Sequence, residues 1–195
     1  MAYKIFNKAL MASEDVQSYC QTGKFCTGTD AAPEYGVITD GEFVVRGSLS
    51  EDDVFAGLKD MNAYRVFYPK AETVKMDELW VADCAGIPSG VIGGNVYRMG
   101  VRLIDLQVAA GECVRIRKLK AGDTFWLGEG NFESKPTVGQ YAKLTANKGT
   151  LTPAAAVTEG QANFKIADSK PLVMGTTAYS TEYLVEVLQF NKEVI

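Results

Sequence analysis

Residues 112–132, ECVRIRKLKAGDTFWLGEGNF, decide the reading of the fold. Val114, Ile116 and, after a slip at Lys118, Leu119 alternate with Arg115 and Arg117. A period of two places apolar side chains on one face of a strand and cations on the other. Lys120-Ala121-Gly122-Asp123 is turn material, since Gly accepts positive φ and Asp bonds its own backbone. Thr124-Phe125-Trp126-Leu127 is β-branched and aromatic, as a returning strand requires, and Gly128-Glu129-Gly130-Asn131 makes another sharp turn. The stretch predicts a hairpin at the centre of a β-rich domain.

The same grammar extends outward. Gly36-Val37-Ile38, an Asp40-Gly41 turn and Glu42–Arg46 read as a second hairpin. Ala63–Tyr68 is a strand stopped by Pro69, and Leu79–Cys84 is another. Residues 90–108 hold two strands broken by glycines; 140–145 and 163–167 are short strands. TEYLVEVLQF, 181–190, is apolar on both faces, so it sits centrally in a sheet or meets a partner. The 19 Gly fall between these runs, which favours tight turns and a mainly β fold. The expected architecture is a barrel or sandwich of short Gly-punctuated strands, a single domain over residues 36–195.

Residues 1–35 show no sustained alternation. Met11–Cys20 suits one short helix, with Ser13 as its cap and Glu14 and Asp15 in its first turn, and the rest reads as an N-terminal arm. Its scattered apolar residues, Phe6, Leu10, Tyr19 and Phe25, are candidate partner-binding anchors. Such a segment gains little from its own domain and docks on something else.

The chemistry is defined mostly by what is missing. The chain has no His, so Ser-His-Asp and Cys-His arrangements are impossible. A zinc site would need all four thiolates of Cys20, Cys26, Cys84 and Cys113, whose spacing is irregular and holds no CxxC. Reduced, mostly buried thiols are expected. Glu51, Asp52 and Asp53 form one polar loop, followed by a weak helical turn at 54–59. The glycines of 93–95 and 128–131 lack the following helix that a phosphate cradle needs. A net charge of −4 disfavours general nucleic-acid binding. The N-terminus lacks the apolar core of a signal peptide, and no run reaches the ~20 residues of a spanning helix. We therefore expect a chain kept in the cytosol or released without a signal, bound to no membrane.

Between residues 98 and 120 stand Arg98, Arg102, Arg115, Arg117, Lys118 and Lys120, with Tyr97 and Trp126 nearby. This basic, aromatic surface suits single-stranded nucleic acid, a sugar, an acidic partner or simply the wet face of a sheet; Arg115 and Arg117 are its candidate contacts. A carboxylate-based glycoside hydrolase would need two acids across a cleft.

ADCAGIPSGVIGGNVYRMG, VAAGECVRIRKLKAGDTFWLGEGNF, TVGQYAKLTANKGTLTPA and the apolar C-terminal strand together resemble head decoration (cement) proteins of tailed bacteriophages. The resemblance runs from about Ala82 to Ala154 and is one of pattern. It implies a virion structural protein, assembled in the host cytoplasm, that binds the major capsid protein, often as a trimer. It implies no enzyme activity and no cofactor. A tail, head-fibre or adhesin protein that binds carbohydrate through Tyr97 or Trp126 is the alternative virion component.

Overall fold

The computed structural model describes residues 4–51, 59–70, 74, 78–84, 89–92, 95–98, 107–174 and 177–188. It is mainly β, built from a closed barrel and a six-stranded sheet. The strands are β1 (Phe6–Leu10), β2 (Cys20–Phe25), β3 (Ile38–Thr39), β4 (Phe43–Glu51), β5 (Lys59–Phe67), β6 (Leu79–Asp83), β7 (Ser89–Ile92) and β8 (Asn95–Arg98). They continue with β9 (Gln107–Val108), β10 (Cys113–Lys118), β11 (Thr124–Gly128), β12 (Tyr141–Leu144), β13 (Leu151–Ala154), β14 (Asn163–Met174) and β15 (Thr177–Val187).

The barrel closes in the order β10-β2-β5-β4-β6, and the sheet runs β1-β11-β15-β14-β12-β13. β3 and β9 form a small ribbon, and β7 and β8 a hairpin. In the barrel, β2 and β5 run parallel; the other pairs are antiparallel.

Period-two alternation explains how barrel and sheet join. Phe43, Leu79 and Val81 pack with the sheet residues Phe125, Leu127, Phe164, Ile166, Tyr183 and Val185. Their neighbours Val44, Trp80 and Ala82 pack instead with Val66, Val114 and Ile116 of the barrel. Strands β4 and β6 therefore serve two cores, one on each face. Phe43 and Phe125 lie fully buried, with ring centroids 6.4 Å apart across this junction.

Four expectations change here. The stretch 112–132 is not a hairpin: β10 pairs with β2 and β6, whereas β11 pairs with β1 and β15. The turn at 120–123 carries the chain from barrel to sheet. Leu119 N–H donates to Leu79 O at 3.2 Å, and Gly122 N–H donates to Val187 O at 2.9 Å, so each side of the corner is bonded to a different sheet. The Asp40-Gly41 turn is real, with Gly41 at φ 73°, but β3 and β4 do not pair with each other either. A Cβ on Gly41 would lie 2.8 Å from Asn131 Nδ2.

Residues 1–35 are not an arm. β1 pairs with β11, and β2 sits between β10 and β5 inside the closed barrel. The boundary at residue 35 does not divide the structure. Nor does Ser13 cap the helix, which spans Ala12–Asp15 with buried Ser13 inside it. The Asp123 carboxylate supplies the missing acceptor, taking the Ala12 N–H at 2.7 Å. The helical turn expected at 54–59 lies outside the described residues except for Lys59, which is in β5.

TEYLVEVLQF behaves as a central strand: β15 lies between β11 and β14, with Tyr183, Val185 and Val187 buried.

Candidate functional site

The inward rows of the barrel strands change character at one end. On β4, Val44 is buried and Arg46, two residues on, is exposed; on β10, Ile116 is buried and Lys118 is half-buried. Alternation puts each cation on the same face as its apolar neighbour. Register agrees, because Trp80 of β6 stands opposite both Val44 and Lys118. Arg46 lies 4.6 Å from the Tyr64 ring centroid and 5.5 Å from that of Trp80, and Lys118 Nζ lies 5.8 Å from Trp80. Arg46 Nη1 also donates to Gln21 Oε1 at 2.9 Å. The result is an open cavity of about 460 Å³ lined by Val45, Arg46, Tyr68, Lys70, Val74, Glu78, Trp80 and Lys118. Mouths of β-barrels are a frequent place for ligands, and this volume falls in the usual range.

Tyr68 also lines a second cavity of about 330 Å³ with Lys4, Glu42, Gly130, Phe132, Glu133, Lys148, Gly149 and Thr150. Its two carboxylates are the closest approach to a paired-acid site. Glu42 is engaged by Lys4 Nζ, by the Tyr68 hydroxyl at 2.7 Å and by the Thr39 N–H at 3.0 Å. Glu133 accepts from Lys148 Nζ at 2.6 Å and from Thr150 Oγ1. Bonds from Lys148 and Thr150 hold the Glu133 carboxyl below its ordinary range. A glycosidic general acid needs the opposite shift. Gly149 closes the floor: a Cβ there would come within 2.7 Å of Glu42 Cβ and the Tyr68 ring.

No family model, curated protein or solved structure matches this chain.

The residues expected as contacts are distributed differently from the sequence reading. Phe6 and Phe25 are core residues, 6% and 3% exposed, not surface anchors. Phe6 packs on Phe125, and Phe25 packs on Tyr68 with ring centroids 4.5 Å apart. Leu10 is the most exposed large apolar side chain among the described residues, at 67%. Tyr19 is half-buried beneath Lys120 Nζ, 4.7 Å from its ring centroid.

Arg117 is also buried, so it does not belong to a wet cationic face. Its Nε donates to Asp83 Oδ2, and its Nη1 lies 3.1 Å from Glu14 Oε1. Arg115 shares Asp83 through Nε at 3.1 Å and stays partly exposed. The strand pairing of β10 with β6 puts Asp83 opposite Arg115, which is why both arginines converge on it.

The Trp126 ring is half-buried and carries a cation. Lys170 Nζ sits 4.1 Å from its ring centroid and 3.2 Å from Glu182 Oε2, and Asn7 Nδ2 donates to the same carboxylate. Arg102 and the side chains of Tyr97 and Arg98 lie outside what the structure describes.

None of the four cysteines is in a disulfide, and among the described residues no cluster of His, Cys, Asp or Glu is arranged to hold a metal ion. No described helix is long and apolar enough to cross a membrane.

Sequence reasoning found Lys118 but missed Arg46, Lys70 and Trp80 as its companions. The signal was present as alternation, Val44 with Arg46 and Trp80 with Ala82. What joins them is non-local strand pairing.

Proposed function

We propose that this chain is a structural component of a tailed-bacteriophage head, a decoration protein that binds the outer face of the major capsid protein shell and stabilises its expanded form. The pattern of residues 82–154 supports it, as set out above. The observation that carries it is the placement of exposed apolar side chains. Leu10, Val16, Tyr35 and Val37 are exposed at 67%, 40%, 39% and 51%, while Met11, Phe25 and Ile38 beside them are buried. These exposed side chains, and not the buried Phe6 and Phe25, are the ones free to meet the shell. A ligand that binds only one state stabilises that state by mass action, and many copies on a lattice add their weak contacts. We further propose a homotrimer, the assembly that the resemblance implies.

Co-sedimentation tests this. The intact protein is expected to saturate empty expanded heads and to leave precursor shells bare. Leu10→Glu with Val37→Glu, both at exposed sites, is expected to cut occupancy at least about tenfold, since a buried unpaired charge costs more than the 1.4 kcal/mol per decade. Binding by apolar contacts resists added salt, whereas binding by exposed charges does not. Equal binding to both shells, or to neither, overturns the decoration role. Full occupancy by the double variant, with loss on Arg115→Glu, moves the dock to the basic face. Light scattering of the isolated protein decides the trimer, and a strict monomer at high concentration rejects it.

A further inference from the structure

The cation-rich end of the barrel is a site of its own, independent of the virion reading. The chain carries a net charge of −4, yet three cations, Arg46, Lys70 and Lys118, line this cavity against one described carboxylate, Glu78. Among the described residues that line it, cations outnumber carboxylates, the reverse of the molecule as a whole. Arg46 is oriented before any ligand arrives, by the Tyr64 and Trp80 rings and by Gln21. A preoriented cation loses less side-chain entropy on binding.

We propose that this end of the barrel binds an acidic peptide segment of a partner protein, with Glu or Asp carboxylates against Arg46, Lys70 and Lys118. Charge complementarity names the class. The cavity, at about 460 Å³, is much larger than one oxyanion, and Val45 and Val74 give it apolar walls for the peptide's aliphatic stems. The ring faces are already taken: Arg46 and Lys118 lie over Trp80, which is 4% exposed. A nucleobase or a sugar ring would need those faces free to stack. Carboxylates need only cations, and Arg46, Lys70 and Lys118 all line the cavity. Electrostatic contacts of this kind set on-rate and specificity and weaken with salt.

The test is calorimetric titration with N-acetylated, C-amidated tetraglutamate, with inorganic phosphate and a sulfated oligosaccharide as parallel probes. Saturable 1:1 binding of the peptide is expected. Lys70→Glu with Lys118→Glu is expected to weaken it at least about tenfold, because like charges placed together are strongly unfavourable. Lys135→Glu with Lys165→Glu changes net charge equally outside the cavity and is expected to weaken it less than about twofold, as charges away from a site are screened. Arg46→Gln, a milder change, is expected to fall between them, and a thermal melt of each variant verifies its fold. Absence of saturable peptide binding overturns the proposal, as does equal loss in both double variants. Phosphate binding as tightly as the peptide shows a single-oxyanion site, and tighter binding of the sulfated sugar shows a saccharide site; either result overturns the peptide assignment.

Discussion

The Asp40 carboxylate accepts the Phe6 N–H at 2.9 Å through Oδ2 and the Cys84 N–H at 2.9 Å through Oδ1. One side chain thus ties the edge of the sheet to the end of β6. Asn131 reinforces the corner, accepting from Ile5 N at 2.9 Å and donating to Asp40 O at 3.0 Å. Burial pushes the Asp40 carboxyl up to about 7, against the pull of its backbone N–H donors, and the nearby Asp83 charge raises it further. A folded-state value above the unfolded one, roughly 3.9, means that the folded chain holds a proton the unfolded chain has released. That stabilisation is complete below about pH 4 and is lost as pH rises to 7. It amounts to something on the order of 4 kcal/mol across the window. The chain has no His, and burial also raises the Asp123 carboxyl, so the Asp40 share is read from its own variant. Denaturant melts at pH 5, 6, 7 and 8 are expected to show falling stability up to pH 7, then a plateau. Asp40→Asn is expected to flatten the slope while lowering stability at pH 5. An unchanged slope in the variant refutes the assignment.

The pair of Arg117 and Asp83 supports a second prediction. Both side chains are buried, at 5% and 10% exposure, and Arg117 also reaches Glu14. Removing one member of a buried pair leaves an uncompensated charge and costs about 3–5 kcal/mol. Arg117→Met is expected to lose stability in that range, softened because Arg115 still bonds Asp83. Arg115→Met, at a half-exposed site, is expected to cost under about 1 kcal/mol, the range of surface pairs. Chemical denaturation of both variants measures the contrast, and similar losses would contradict the buried role of Arg117.

Strand existence was largely legible because it rests on local alternation: β6, β10, β11 and β12 stand within a residue or two of the expected runs, and β5 and β15 overlap theirs but begin four residues earlier. Pairing was not, because it depends on which strands meet in space. Gly41 and Gly122 both adopt positive φ, as turn residues should, yet neither joins a hairpin. The chain crosses between layers at 40–42 and 119–123; Asp40 takes distant amides at Phe6 and Cys84, while Asp123 divides its carboxylate between Lys120 N–H of its own turn and the distant Ala12 N–H. Nothing in a turn dipeptide distinguishes that use from a hairpin. The same limit hid β1 and β2. Short strands without strict alternation look like an arm until Gly23 is placed between Val66 and Ile116. For the barrel-end cavity, the residue types were visible and their convergence was not.

The thiols give a third prediction. Cys113 is exposed, Cys20 is intermediate, and Cys26 and Cys84 are buried. Burial raises the Cys26 and Cys84 thiols; for Cys84 the charges of Asp40, Asp83 and Glu42 add to it. Reactivity follows access and thiolate fraction. A disulfide reagent at pH 8 is expected to modify Cys113 first and Cys20 more slowly, with Cys26 and Cys84 protected until the chain unfolds. Four equal rates in the native protein, counted by mass spectrometry, would show that the barrel is open.

The last prediction concerns the first thirty residues. Deleting them removes β1, the short helix and β2, and with these the buried side chains Ile5, Phe6, Met11, Phe25 and Cys26. β2 is the strand that closes the barrel between β10 and β5, so its loss opens two strand edges. Each large core side chain is worth about 2–5 kcal/mol on truncation. Three or four of them match the ~5–15 kcal/mol total stability of a domain. The deleted chain is therefore expected to show no cooperative thermal transition and to bind a hydrophobic dye. Single changes sharpen the point. Phe6→Ala is expected to cost about 3–5 kcal/mol, as buried aromatics do. Leu10→Ser, four residues on at a 67% exposed site, is expected to stay within about 0.5 kcal/mol. A cooperative melt of the truncated chain, with its β-sheet circular dichroism intact, would instead make the segment a dispensable arm and remove β2 from the barrel.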